Sequence, residues 1–224
     1  GEALASSRGL TYLDLQRNEL GDAGAASVAR ALACNSTLET LDLSLNDMGG
    51  CGEGAAALGA SLAANASLHT LRASGNDLGP KGAEALGGGL RTNRVLTALD
   101  VGRNSFGPVG GMALALAIVE HTQLTSLRLE QNGLEEAGEA LAQALGASPR
   151  LVTLSLRGNG FGAAEGEALA AAVASHPSLS SVDLSDNSIT VLPIHTQLRL
   201  AERCAAAGEG GGEGGGEGGG EGGV

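Results

Sequence analysis

Aromatic residues are nearly absent from this chain of 224 residues. They make up 1% of the composition, with two Phe, one Tyr and no Trp, whereas hydrophobic residues as a whole reach 42%. A core of ordinary size can therefore form, but Leu and Ala must fill it. The same shortage leaves few of the Tyr and Trp side chains that dominate tight protein interfaces.

Positive charge is also scarce. The chain has 13 Lys and Arg residues against 25 Asp and Glu residues, a formal net charge of −12, and Lys81 is its single Lys. No run of basic residues occurs. Because nucleic-acid binding depends on clustered positive charge, we expect no nucleic-acid partner.

Long apolar runs and paired cysteines are missing too. The longest apolar run, Met112–Val119, is too short to cross a bilayer, and the N-terminus shows no targeting pattern. Cys34, Cys51 and Cys204 are too few and too irregularly spaced for a disulfide framework or a zinc site. We therefore expect a cytoplasmic chain with reduced thiols, no membrane contact, no metal and no other cofactor.

A repeated pattern is what the sequence does have, because L-x-x-L-x-L-x-x-N-x-L recurs seven times. Its first positions are Leu10, Leu38, Leu68, Leu96, Leu124, Leu151 and Leu179. Its Asn positions are Asn18, Asn46, Asn76, Asn104, Asn132, Asn159 and Asn187. Such self-similarity at a period of 27 to 30 residues is typical of a repeat architecture.

Two periodicities alternate within each unit. The L-x-L alternation predicts a short strand with one buried face. The second half, as in Gly24–Ala33 or Gly82–Leu90, has apolar residues three and four apart and predicts a helix. Neither element can bury its apolar side alone, so the units must stack. The predicted fold is an α/β, right-handed curved solenoid (a horseshoe) with a parallel sheet on the concave side and helices on the convex side.

The recurring Asn has a structural interpretation. It stands where the chain leaves each strand, and its amide can bond the backbone of its own turn and of the next one. Because every unit repeats it, we assign it to architecture and not to catalysis.

The chain from Leu10 to Ile189 resembles the leucine-rich repeats of ribonuclease inhibitor, of Ran GTPase-activating protein and of the sensor regions of nucleotide-binding oligomerisation-domain-like receptors. The resemblance implies a curved solenoid of the 28-residue, ribonuclease-inhibitor-like type whose ligands are proteins. These families share no single function, so the fold alone does not identify one.

Four segments follow from the pattern. Residues 1–9 look like the end of a truncated preceding repeat, and residues 10–190 form seven repeats. Residues 191–207 are expected to form an irregular C-terminal capping helix. Residues 208–224 repeat Gly and Glu without enough apolar groups to order, which predicts a disordered tail.

No catalytic constellation is visible. A nucleophile elbow, a Cys-x-x-Cys pair and a complete phosphate-binding loop are missing, and Gly79–Gly82 matches such a loop only faintly. We expect a non-enzymatic protein-interaction module, either a scaffold or a receptor sensor region. The alternative is a Ran-type GTPase activator, although the loops that follow the Asn positions contain no Arg for such a role.

The outward positions of the concave strands and their exits are the candidate partner-binding residues. They are Tyr12, Arg17, Leu45, Arg72, Arg103, Arg128, Glu130, Gln131 and Arg157. One central column alternates Asp42, Arg72, Asp100 and Arg128, which either neutralise one another or form a polar docking strip. Strand spacing also predicts that Arg103, Arg128 and Arg157 share one patch roughly 10 Å across.

Overall fold

The computed structural model describes residues 1–49, 52–121 and 123–190. The expected capping helix at 191–207 and the expected tail at 208–224 lie outside the described residues.

Seven strands of three residues each form one parallel sheet in the order of the chain. They are β1 (Tyr12–Asp14), β2 (Thr40–Asp42), β3 (Thr70–Arg72), β4 (Ala98–Asp100), β5 (Ser126–Arg128), β6 (Thr153–Ser155) and β7 (Ser181–Asp183). Each strand pairs with the next in register, so equivalent repeat positions form straight columns across the sheet.

Helices connect the strands and form the second layer. They are α1 (Glu2–Ser6), α2 (Gly21–Cys34), α3 (Glu53–Ala64), α4 (Gly79–Thr92), α5 (Gly107–Glu120), α6 (Gly138–Gly146) and α7 (Ala163–Ser175). A 3-10 turn at Glu135–Ala137 precedes α6. The predicted α/β solenoid with a parallel sheet and a row of helices is confirmed.

The core lies between these two layers and consists mainly of Leu and Ala, as the composition predicts. The two aromatic rings within it, Phe106 and Phe161, are completely buried in the apolar position that follows each Asn. The backs of neighbouring helices approach closely where side chains are absent. At Gly89, for example, an added Cβ would overlap the carbonyl of Gly59 on the preceding helix.

A first row of amides, the strand-end ladder, follows the strands, and all of its members are buried except Asn187, which is partly buried. It comprises Asn46, Asn76, Asn104, Asn132, Asn159 and Asn187. In Asn104 the Nδ2 group donates to the carbonyls of Ala73 (2.9 Å) and Val101 (3.0 Å), and Oδ1 accepts from the N–H of Asn76 (3.1 Å). The side chain therefore joins its own turn to the preceding repeat, not to the next one as the sequence analysis expects.

A second row, the helix-end ladder, follows the helices three residues before the first Leu of each repeat. It comprises Asn35, Asn65, Asn93, His121, Ser148 and His176. In Asn93 the Nδ2 group donates to the carbonyls of Leu62 (2.8 Å) and Asn65 (3.2 Å), and Oδ1 accepts from the N–H groups of Val95 (2.9 Å) and Leu96 (2.8 Å).

The helix-end ladder changes chemistry in its second half. His176 reproduces the bonds of an Asn, because its Nε2 lies 2.9 Å from the carbonyl of Ser148 and its Nδ1 accepts from the N–H groups of Ser178 and Leu179. That network assigns the proton to Nε2. His121 is equally buried, yet neither of its ring nitrogens has a hydrogen-bond partner among the residues that the structure describes.

Candidate functional site

The nine candidate residues divide between two parts of the strand surface. Tyr12, which is 54% exposed, and Leu45 lie on the first two repeats. Arg128 and Arg157, whose side chains are each about half exposed, lie on the fifth and sixth repeats. Four strand spacings of about 4.8 Å separate Tyr12 from Arg128, roughly 19 Å, so these two candidates lie toward opposite ends of the surface.

The group on repeats four to six converges on one open depression. Its lining residues are Arg103, Arg128, Glu130, Gln131, Ser155, Arg157 and Asp183. Five of these are sequence candidates, and the three arginines that were expected to share a patch line it together. Arg72 contributes to the adjoining depression over β3 to β6, where it lies beside Asp100 and Arg128.

The arginines of the depression differ in how far they are neutralised. Arg157 pairs tightly with Asp186, at 2.6 Å between Nη2 and Oδ2. Arg128 reaches Asp100 only at 4.0 Å. Arg103 forms no ion pair with any residue that the structure describes. Arg103 is therefore the arginine of the depression that is left without an acidic partner among the described residues, while Glu130 and Asp183 in the lining offset part of the positive charge.

Two carboxylates lie beneath these arginines. Burial raises the pKa of Asp100, and the negative charge of Glu130 raises it further, against the N–H of Gly102 and the nearby arginines, which lower it. Glu130 lies over Gly102, where an added Cβ would come within 2.9 Å of its Cγ. Its Oε2 is buried and has no hydrogen-bond partner among the described residues, which is a costly state for a carboxylate oxygen.

The expected charge ladder along the central column is present in only one step. Asp42 is 8% exposed, and its Oδ1 accepts from the N–H of Ser44 at 2.9 Å. Arg72 makes no ion pair within the described part of the chain. Only Asp100 and Arg128 meet, at 4.0 Å. Mutual neutralisation of the column is therefore weaker than the sequence pattern suggests.

Four of the candidate residues occupy a strained backbone position. The residue just before each repeated Asn has a positive φ, and it is neither Gly nor Asn in Arg17 (59°), Leu45 (58°), Arg103 (56°) and Gln131 (54°). Gly75 and Gly158 occupy the same slot in other repeats with φ of 67° and 65°. Glycine adopts this conformation without the cost of about 1–2 kcal/mol that other residues bear.

Sequence reasoning missed several participants. Asp183 and Asp186 lie beside Arg157, and their contacts arise between neighbouring repeats in strand register. The helix-end ladder was also missed, although Asn35, Asn65 and Asn93 each stand three residues before the first Leu of their repeat. That constant offset was a usable signal. Two of these residues also begin the glycosylation-like triplets at 35–37 and 65–67, but both Asn side chains are buried.

Across 1–49, 52–121 and 123–190, no cluster of three or more His, Cys, Asp or Glu side chains could hold a metal ion. No helix in these ranges is both long and apolar enough to cross a membrane.

The sequence profile of one family matches the chain in four places. The family is the Leucine Rich repeat, and the matched segments are residues 6–29, 34–59, 64–87 and 92–115. A comparison with curated proteins finds no match. The first four strand–helix units of the chain are therefore similar in sequence to leucine-rich repeats.

Solved structures with the same fold include two eukaryotic domains and one bacterial protein. Leiomodin-1 actin-binding site 2 and the tropomodulin C-terminal domain of Caenorhabditis elegans each align with 83% of this chain, at a TM-score of 0.53 and 12% identity. The alignments cover 88% and 93% of those chains. The leucine-rich repeat-containing protein LegL7 of Legionella pneumophila also aligns with 83% of this chain, at a TM-score of 0.53 and 29% identity, over 60% of its own length.

Proposed function

We propose that this chain is a non-enzymatic protein-interaction module with repeats of the ribonuclease-inhibitor-like type. Its binding site is the concave depression that Arg103, Arg128 and Arg157 line. The observation that carries the proposal is the convergence of three arginines on one depression in a chain of net charge −12. Because guanidinium groups bind carboxylates in a two-pronged geometry, the partner segment is acidic.

Backbone strain supports the same site. Arg103 and Gln131 keep large side chains in a left-handed slot where Gly158 shows that glycine fits the fold. Strained residues concentrate where binding sites need a fixed geometry.

The unsatisfied oxygen of Glu130 adds a second requirement. A buried carboxylate oxygen without a donor destabilises the free protein, and a partner N–H or O–H placed there would relieve that cost. The partner segment therefore carries carboxylates for the arginines and at least one hydrogen-bond donor between them.

The related structures support the general function and not a particular partner. Leucine-rich repeats serve as protein-binding scaffolds, and the leiomodin-1 domain of this fold is described as an actin-binding site. At 12% identity, that likeness transfers the fold alone.

Affinity capture with paired variants tests the proposal. The full chain and the variant Arg128→Ala/Arg157→Ala serve as baits, and the protein that only the full chain retains is purified and titrated. We expect the double variant to bind this partner at least tenfold more weakly, about 1.4 kcal/mol, since two charged contacts are lost. Added salt should weaken partner binding by the unmodified chain more than it weakens partner binding by the double variant.

Arg30→Ala/Arg91→Ala is the matched control. It removes an equal amount of positive charge, but from the helix layer, where each of the two exposed arginines pairs with a glutamate. Equal losses for both double variants would show that net charge alone drives binding. Unchanged affinity for Arg128→Ala/Arg157→Ala with an intact fold would move the site to the group around Tyr12, Arg17 and Leu45.

A further inference from the structure

Helix α5 is unusual among the described helices because it is apolar on both sides. Its inner side packs in the core through residues such as Leu114 and Ile118. Its outer side exposes four apolar side chains, which are between 45% and 66% exposed: Val109, Met112, Leu116 and Val119. A helix that is hydrophobic all round is ordinarily buried all round.

The four outer residues form one continuous column. Their spacing of three, four and three residues places them on one face of the helix. From Val109 to Val119 the column extends about 15 Å, at 1.5 Å per residue. Single exposed apolar residues need no explanation, but a contiguous stripe with a polar rim marks an interaction site.

The equivalent positions on the two flanking helices carry no large apolar residue. On α4 the corresponding exposed positions are Lys81, Glu84, Gly88 and Arg91. On α6 and the turn before it they are Glu136, Glu139, Gln143 and Gly146. The repeat architecture therefore accepts charged or small residues at every one of these places.

The rim of the column is predominantly negative. Toward α6 it presents Glu135, Glu136 and Glu139, none of which forms an ion pair with a residue in the described ranges. Toward α4 the guanidinium of Arg91 is already paired with Glu120 at 2.8 Å. Unneutralised carboxylates beside an apolar stripe favour a partner that presents cations beside its own apolar stripe.

We propose that the exposed face of α5 docks an amphipathic helix of a partner protein, whose apolar stripe fills the column and whose Lys or Arg residues meet the glutamates toward α6. The site lies on the convex side, opposite the concave depression, so the chain can hold two partners at once. A second copy of this chain fits less well, because two chains of net charge −12 repel each other.

A designed peptide is the probe. It is a helical peptide of about 14 residues with Leu at spacings of three and four and Lys on both flanks, and its matched form carries Glu in place of Lys. Fluorescence anisotropy follows its titration with the full chain. We expect the Lys form to bind at least tenfold more tightly than the Glu form, with affinity that falls as salt is added.

Two double variants locate the binding. Met112→Gln/Leu116→Gln should weaken the Lys peptide at least tenfold, and Glu136→Gln/Glu139→Gln severalfold. Leu10→Gln/Val152→Gln is the control for loss of exposed apolar groups, and Glu2→Gln/Glu39→Gln is the control for loss of negative charge. Both controls should stay within twofold, and thermal unfolding should confirm that all four variants fold.

Several results would overturn the proposal. Equal losses of peptide binding in the control variants would show that the peptide is attracted nonspecifically to an acidic chain. No binding of the Lys peptide to the full chain would show that the exposed face of α5 does not accept a helix. Self-association in sedimentation that Met112→Gln/Leu116→Gln abolishes would assign the face to a second copy. Binding to phosphatidylcholine vesicles with the same sensitivity would assign it to a membrane surface.

Discussion

The strand-end and helix-end ladders perform the same task at opposite ends of each strand, but only the first is chemically uniform. Every member of the strand-end ladder donates to carbonyls of two neighbouring repeats while its oxygen accepts a backbone N–H. Asn104 shows the pattern with Ala73, Val101 and Asn76. A position that needs two donors and an acceptor on one short side chain is met by an amide and not by an imidazole or a hydroxyl.

The helix-end ladder is more tolerant because a single donor suffices there. In His176 one Nε2–H group reaches the preceding repeat while Nδ1 accepts two backbone N–H groups. Ser148 manages only donation, to the carbonyls of Ala144 (3.2 Å) and Ile118 (3.4 Å). At His121 the ladder is interrupted, since both ring nitrogens are unsatisfied.

Breaking the uniform ladder at its centre should have the largest effect. Asn104→Ala leaves the N–H of Asn76 without its partner and removes one of the two amide donors from each of the buried carbonyls of Ala73 and Val101. We expect the free energy of unfolding to fall by about 3 kcal/mol, the upper end of the cost of unsatisfied buried groups. Urea unfolding followed by far-ultraviolet circular dichroism measures it.

Asp100→Ala in the same repeat is the control, and it should cost less than about 1 kcal/mol because its ion pair with Arg128 is loose. Equal losses for Asn104→Ala and Asp100→Ala would contradict the structural importance that we assign to the ladder.

Removing a member of the helix-end ladder should lower the free energy of unfolding by a smaller amount. Asn93→Ala removes bonds to Leu62, Asn65, Val95 and Leu96, but helix ends relax more readily than the edge of a sheet. We expect a loss of about 2 kcal/mol, measured by the same unfolding experiment. A loss larger than that of Asn104→Ala would reverse the order of the two ladders.

Most of the architecture could be predicted from the sequence because the repeat fixes it. The Leu positions give the strands, and strand register alone then brings Arg103, Arg128 and Arg157 to one depression. The partner of Arg157 was out of reach, because Asp186 lies in a loop whose path depends on the neighbouring repeat.

Burial of single polar groups was equally out of reach. Asp42 occupies the same column as exposed Arg72, and only the packing of neighbouring side chains decides that the carboxylate is covered. The outer column of α5 was visible as the apolar run Met112–Val119, but a run within a helix does not reveal which residues face the solvent.

Repairing the interrupted ladder should stabilise the chain. His121→Asn restores the residue type found at Asn35, Asn65 and Asn93, which makes both the donor and the acceptor bonds in those repeats. We expect a gain of about 1 kcal/mol, the net value of an added buried hydrogen bond. His121→Leu is the control for burial alone, and an equal gain from it would show that the site needs no polar group.

Lowering the pH should destabilise the wild type more than His121→Asn. We expect this difference to be the smallest of the predicted effects. Burial lowers the pKa of His121, and the nearby charge of Arg94 lowers it further, although the backbone of the residue itself acts in the opposite direction.

An unfolded histidine titrates near 6.5, so the unfolded chain takes up the proton first as the pH falls. The contribution of neutral His121 is therefore present above about pH 6.5 and is lost below it. Between pH 6.5 and pH 5.5 this residue can account for a loss of at most about 1 kcal/mol. Melting temperatures of both proteins across that range test the idea, because the two proteins differ only at residue 121. Parallel curves would show that His121 is not protonated more readily in the unfolded chain.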